Sequence, residues 1–259
     1  MTPPSVIVHR DAELLAQAVA ARIVVRLVDV QAARGSASIV LTGGGVGVAI
    51  LRSLRDSPAR DAIDWHRLDV WWGDERFLPA GHPERNDAQA REALLDAVPL
   101  DPARVHPVAG PDGPDGNDPE AAAARYAAEL AAATAPEDHA DVPQFDLLLL
   151  GVGEEGHVAS LFPAAPAVYD ERAVVAVRGC PKPPPTRVSL TFRSINTARE
   201  AWLVTAGSAK ASAVRLALSG AGRVQVPAAG VAGRARTLWL LDREAASALP
   251  RDVPRIASP

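Results

Sequence analysis

The segment FDLLLLGVGEEGHVASLFP, residues 145–163, sets two acids and a histidine directly behind an apolar run. Gly151 and Gly153 let the chain turn there, and Gly156 removes a side chain beside His157. Imidazole is the side chain whose ordinary pKa suits proton transfer near neutral pH. Glu155 stands two residues away, where it can orient the ring or raise its basicity. A lone histidine is more often a surface or satisfied core residue. The glycine frame, the acids and the position behind an apolar run together make His157 a candidate general base.

Two other stretches carry chemistry of the same kind. In LTGGGVGVAIL, Gly43, Gly44 and Gly45 follow an apolar run and precede an apolar helix. Glycines let the backbone approach an anion, and free N–H groups at a helix start favour phosphate. The stretch lacks the Gly-Lys-Ser/Thr of a Walker A loop and is not a clean dinucleotide fingerprint; a tight turn packed through its glycines is the competing reading. In WWGDERFLP, Asp74, Glu75 and Arg76 stand beside Trp71, Trp72 and Phe77. They read either as a solvated turn or as a planar guanidinium placed to clamp a carboxylate, phosphate or developing oxyanion. Arg187 and Lys210 lie at chain turns; singly they read as surface charges, and with the glycine loop as a phosphate site.

The elements that must position these residues alternate. Apolar runs at 38–42, 68–72, 145–150, 187–192, 201–206 and 237–242 are expected strands, and continuous apolarity suits parallel strands covered on both faces. Helices are expected over 11–33, 86–98 with Asn86 as N-cap, 118–134 with Asp118 as cap and Pro119 at the first position, and 208–220 from Ser208 to Gly220. This alternation predicts an α/β class with a doubly wound, mainly parallel sheet flanked by helices, as one unit over 1–259. Ligands then bind outside the carboxyl ends of the strands, where the residues above fall. The stretch 108–120, rich in Gly, Pro and Asp, is expected to be a surface loop rather than a linker, and PKPPPT (181–186) a stiff extended loop.

Composition narrows the function. With 259 residues, 48% of them hydrophobic, the chain can bury a sizeable core. A net charge of -4 gives no nucleic-acid footprint. The one cysteine, Cys180, permits no intrachain disulfide and is expected to be an idle thiol. No apolar stretch approaches a membrane span, and the first residues lack the apolar core of a signal peptide, so a cytoplasmic protein is expected.

In order and approximate spacing, TGGG, WGDERFLP, HPERNDAQAREALL, LLLLGVGEEGHVASLFP, RVSLTFRSIN and VTAGSAKASAV resemble the 6-phosphogluconolactonases. The resemblance runs roughly from residue 6 to 242, and the Gly-His and DERFLP segments are its most specific parts. It implies the Rossmann-like fold of the glucosamine-6-phosphate deaminases and hydrolysis of 6-phospho-D-glucono-1,5-lactone. The implied substrate is a small sugar phosphate, and no nucleotide or organic cofactor is implied; apart from the resemblance, no metal is expected, and a monomer or small homo-oligomer is expected as the working form. By the same resemblance His157 is the catalytic histidine, supported by Glu155, and Arg76 lines the sugar-acid pocket. Gly43, Gly44 and Gly45 form the phosphate loop with Arg187 and Lys210, and Asp74 and Asn86 join the binding residues. The family's usual Gly-x-Gly-x-Asp-Gly-His is here Gly151-Val152-Gly153-Glu154-Glu155-Gly156-His157, so the acid keeps its charge on a side chain one methylene longer.

Two rivals differ in specific residues. The deaminases carry a histidine-supporting Glu where this chain has Phe162, although Asp74 matches their proton-abstracting acid. A non-catalytic sugar-phosphate sensor would need no His157 and would be expected with an attached helix-turn-helix segment.

Overall fold

Branched and leucine-rich runs pair side by side into one seven-stranded sheet, parallel throughout. The computed structural model describes residues 3–134, 140–251 and 253–257. In chain order the first half comprises β1 (Ser5–His9), α1 (Ala12–Arg34), β2 (Ala37–Leu41), α2 (Gly44–Asp56), β3 (Leu68–Trp72), β4 (Asp74–Arg76), α3 (Asn86–Ala93) and α4 (Pro119–Ala132). The second half comprises β5 (Leu147–Gly151), β6 (Val174–Val177), β7 (Arg187–Leu190), α5 (Phe192–Ile195), β8 (Glu200–Thr205), α6 (Ala211–Leu218), β9 (Arg236–Asp242) and β10 (Arg255–Ala257).

The large sheet runs β10-β1-β9-β8-β5-β2-β3. Side chains alternate across it into two cores. Ile39, Leu41, Leu147, Leu149, Trp202 and Val204 pack under α1, α2 and α3. Val40, Leu148, Leu150, Ala201 and Leu203 pack on the other face, with Tyr126 of α4 and Val214 of α6. Both faces being dry explains why these strands read as unbroken apolar runs. From β2 the chain passes outward to β3, whereas from β5 it passes the other way to β8 and β9, so the strand order reverses between β2 and β5.

The helix ends obey local rules. Asp11 caps α1 by accepting from Leu14 N at 2.8 Å, and Gly35, at φ 82°, ends it in the left-handed conformation. Asp118 caps α4, with Pro119 in its first turn. The 108–120 segment forms turns tied back by Asp112, which accepts from Ala80 N, and by the Asp115–Arg125 ion pair.

Four expectations need correction. The run 187–192 is not a member of the parallel sheet: β7 pairs antiparallel with β4 and β6 in a separate three-stranded sheet, and Phe192 already begins α5. Asn86 is not the cap of α3; Arg85 holds that position, and the cap is supplied from a distance by Glu75. The helix ends at Ala93, short of 98, and a 3-10 turn follows at Leu95–Ala97. The last expected helix starts as a 3-10 turn at Ser208–Lys210 before α6.

Candidate active site

A cleft of about 480 Å³ opens at the carboxyl ends of the strands, where the order reverses between β2 and β5. Gly43, Gly44, Gly45, Asp74, Arg76, Asn86, His157, Arg187 and Lys210 all line it. Glu155 does not; it stands behind His157. The loops leaving β2 and β5 are tied together by Thr42 Oγ1, which accepts from Gly151 N at 3.1 Å.

His157 is held by a turn that only its glycines allow. Gly153 N donates to His157 O at 2.9 Å and Gly156 N to Gly153 O at 3.0 Å. Gly156 has φ 89°, a left-handed conformation that disfavours a side chain. A methyl on Gly153 would occupy the space of the imidazole ring itself. Phe162 packs on the ring with centroids 4.5 Å apart. Glu155 Oε1 lies 3.0 Å from His157 Nδ1 but off the axis of an N–H there, a close polar contact rather than an aligned hydrogen bond. Burial pushes the imidazole below its ordinary pKa. Glu155 opposes that shift, Lys182 reinforces it and Asp74 opposes it. The ring is therefore neutral near pH 7 and free to accept a proton.

The tripeptide Asp74-Glu75-Arg76 is β4, reached from β3 through Gly73 alone. Gly73 joins the two sheets, donating to Leu41 O at 3.0 Å and accepting from Leu190 N at 2.9 Å. Strand alternation sends neighbours to opposite sides. Asp74 faces the cleft, where Oδ2 accepts from Ser160 Oγ at 2.6 Å and the backbone oxygen accepts from Asn86 Nδ2 at 2.8 Å. Asn86 in turn lies against Gly43, where any side chain would collide with it. Arg76 reaches the cleft with Nη1 anchored on Glu84 O at 2.6 Å and Nε buried without a partner.

Glu75 points away, 1% exposed, and caps α3. It accepts from Arg76 N and Asn86 N at 2.7 Å and from Asp87 N at 2.9 Å, with Arg85 Nη2 3.6 Å away. Burial pushes its carboxyl up to about 7, against Arg85 and the three N–H groups, which favour the ionised form.

A helix start and further cations complete the lining. The helix α2 starts at Gly44 with no side-chain cap and no acid in its first turn, so its dipole and N–H groups face the cleft unopposed. Lys210 Nζ pairs with Glu154 Oε1 at 2.8 Å. The Arg187 guanidinium is 3.8 Å from Asp74 Oδ2 and donates to the carbonyls of Lys182, Pro183 and Pro184. Lys182 also lines the cleft. Sequence reasoning missed it, together with Thr205 and Ser160; only the lysine's place between prolines near Arg187 signalled it. Cys180 is buried, and burial pushes its thiol up, with Arg187 opposing, as an idle thiol requires. Among the described residues no group of three or more His, Cys, Asp or Glu side chains is placed to hold a metal ion, and no helix is long and apolar enough to cross a membrane.

Some buried polar atoms without a partner are here: Arg76 Nε, Asn86 Oδ1 and Thr205 Oγ1 belong to residues of the cleft. Such atoms are costly unless a ligand uses them. A neutral histidine, an uncapped helix start and several cations at a sheet's reversal point define an enzyme-like α/β protein for a small anionic substrate.

Comparison with known proteins agrees. The family described as glucosamine-6-phosphate isomerases/6-phosphogluconolactonase matches residues 10–239, and the chain belongs to that family. A 6-phosphogluconolactonase of Streptomyces coelicolor is 64% identical over 251 residues, 96% of each chain. One of Mycobacterium tuberculosis is 50% identical over 247 residues, covering 95% of this chain and 98% of the relative. The three-dimensional structure of 6-phosphogluconolactonase from Trypanosoma brucei superposes with TM-score 0.81 at 28% identity, covering 96% of this chain and all of the other.

Proposed function

We propose that the chain hydrolyses 6-phospho-D-glucono-1,5-lactone to 6-phospho-D-gluconate, the second step of the oxidative pentose phosphate pathway. The observation that carries this reading is the neutral His157, backed by Glu155, in a cleft walled by cations and an uncapped helix start. The identity of 64% to a 6-phosphogluconolactonase over nearly the whole length supports it. The protein works as one unit over 1–259 in the cytoplasm, as a monomer or small homo-oligomer, without an organic cofactor.

In the reaction His157 removes a proton from water as the oxygen adds to the lactone carbonyl. The oxyanion meets the Arg76 guanidinium, already fixed on Glu84 O, and the N–H groups of the glycine turns. The C–O bond to the ring oxygen then breaks, and the imidazolium returns its proton to that oxygen, leaving the hydroxy acid. The substrate phosphate binds at Gly43–Gly45 with Lys210 and Arg187, and Asp74 and Asn86 shape the sugar subsite. Binding at the phosphate is remote from the bond that breaks, so its energy serves positioning. The deaminase alternative lacks its acid, because Phe162 packs on His157 where that acid would stand.

The test is a coupled assay in which glucose-6-phosphate dehydrogenase generates the lactone in place. Lactone disappears faster than its spontaneous hydrolysis, and loss at the spontaneous rate only would sink the reading. In the same assay the acid limb of kcat/KM has its midpoint below the ordinary histidine value of 6.5, because burial lowers the His157 pKa and keeps the base neutral to lower pH. A midpoint above 6.5 contradicts the assignment of that limb to His157.

A further inference from the structure

Lys182 belongs to the stretch RGCPKPPPT, whose shape is set from within. Arg187, 5% exposed, donates to Lys182 O at 3.0 Å, Pro183 O at 3.3 Å and Pro184 O at 3.2 Å, and Cys180 N donates to Pro185 O at 3.0 Å. The backbone that carries Lys182 is thus fixed, and its side chain extends to the edge of the cleft. Lys182 Nζ lies 3.2 Å from Glu155 Oε2, while Glu155 Oε1 lies 3.0 Å from His157 Nδ1. One carboxylate therefore bridges an ammonium and an imidazole.

The groups facing His157 come from several elements. Glu155 comes from its own turn, Asp74 from β4 and Lys182 from the proline loop, with the Phe162 ring on one face. Arg187 is held by Asp74 and by the Phe162 ring, 5.8 Å from its centroid, and Lys210 is held by Glu154. Among the described cations, Lys182 alone is paired to the acid that touches the histidine. An uncompensated Glu155 would draw a proton onto the ring it orients, and a protonated ring is no base.

We propose that Lys182 is a positioning residue for the reaction: by pairing with the outer oxygen of Glu155 it lets the inner oxygen hold the His157 ring while leaving that ring neutral. This rests on the hydrolase reading above. The directions of titration agree. Burial pushes the Glu155 carboxyl up, but its own N–H, His157 and Lys182 carry it below the ordinary value, and Lys182 acts on His157 to lower it.

The experiment compares wild type, Lys182→Met, Lys182→Arg and the Glu155→Gln, Lys182→Met double variant, in two readouts. Imidazole NMR titration, with His157→Gln to assign the resonance, follows the ring without requiring turnover. In Lys182→Met the His157 midpoint moves up by about one pH unit. Below that midpoint kcat/KM falls about tenfold and above it not at all, while the arginine variant behaves as wild type. The upward movement disappears in the double variant, since no carboxylate remains to be compensated. A midpoint that stays or falls in Lys182→Met overturns the proposal. So does a rise in KM at every pH with an unmoved limb, which makes Lys182 a phosphate ligand. Wild type that leaves lactone untouched defeats the hydrolase reading, and the titration still reads the Lys182–Glu155–His157 coupling.

Discussion

Replacing His157 with alanine lowers kcat by ~10²- to 10⁴-fold, the usual worth of general acid–base assistance, and leaves 6-phospho-D-gluconate bound. The two halves of that expectation come from different groups of the cleft. The imidazole is the proposed base, its pKa lowered by burial between Phe162 and the glycine turn. The groups proposed to bind the anion, from the start of α2 to Lys210 and Arg187, sit on other elements, and none of them bonds to the ring itself in this structure. Kinetics after subtraction of spontaneous hydrolysis, together with calorimetric titration of the product, separates the two. Turnover near that of wild type would remove His157 from the mechanism, and lost product binding would show that the ring shapes the phosphate site.

The second large effect is on stability. Glu75→Ala destabilises the fold by about 3–5 kcal/mol, the cost of leaving several buried hydrogen-bond donors without their acceptor. Arg85 is 2% exposed and would face an empty space, and the N–H groups of Arg76, Asn86 and Asp87 would lose their acceptor. Chemical denaturation measures the loss; a change below 1 kcal/mol would mean that water replaces the carboxylate. The same carboxyl has a pH signature. Its folded value is about 7 and its ordinary value 4.5, so its contribution is complete below 4.5 and is lost as pH rises through 7. Glu75→Gln abolishes that slope, and a slope unchanged in the variant assigns it to another group.

The large sheet was legible because both its faces are buried, which writes apolar runs such as Leu147–Leu150 directly into the sequence. The small sheet was not. Its strand β4 is three charged or polar residues whose partners come from β7, far along the chain, and nothing local separates such a tripeptide from a turn. β7 carries an apolar run as good as any parallel strand, and only its pairing makes it antiparallel. β1 and β6 went unread although Val6–Val8 and Val174–Val177 are apolar runs; β10 is exposed and short, with little to read. At the site, glycines and chemically distinctive side chains announced themselves beside strand ends. Lys182 did not, because its partner Glu155 lies 27 positions earlier and no spacing rule relates them. Asn86 misled for a related reason: it looks like a cap, but Glu75 already fills that role and frees its amide for Asp74.

That division of labour within Asp74-Glu75-Arg76 has a consequence for how the gene can change. The outer two residues face the cleft and the middle one holds a helix, and the alternation is enforced by a strand only three residues long. Each position tolerates some exchange on its own terms. Losing or gaining one codon between Trp72 and Phe77 is another matter, because a slip of one residue turns every side chain to the opposite face. The capping carboxylate would then enter the cleft while an arginine or aspartate went under the helix. Length in this stretch is therefore under tighter constraint than the identity of any single residue in it, and natural variation is expected to run through substitutions, with insertions left to loops such as 108–120.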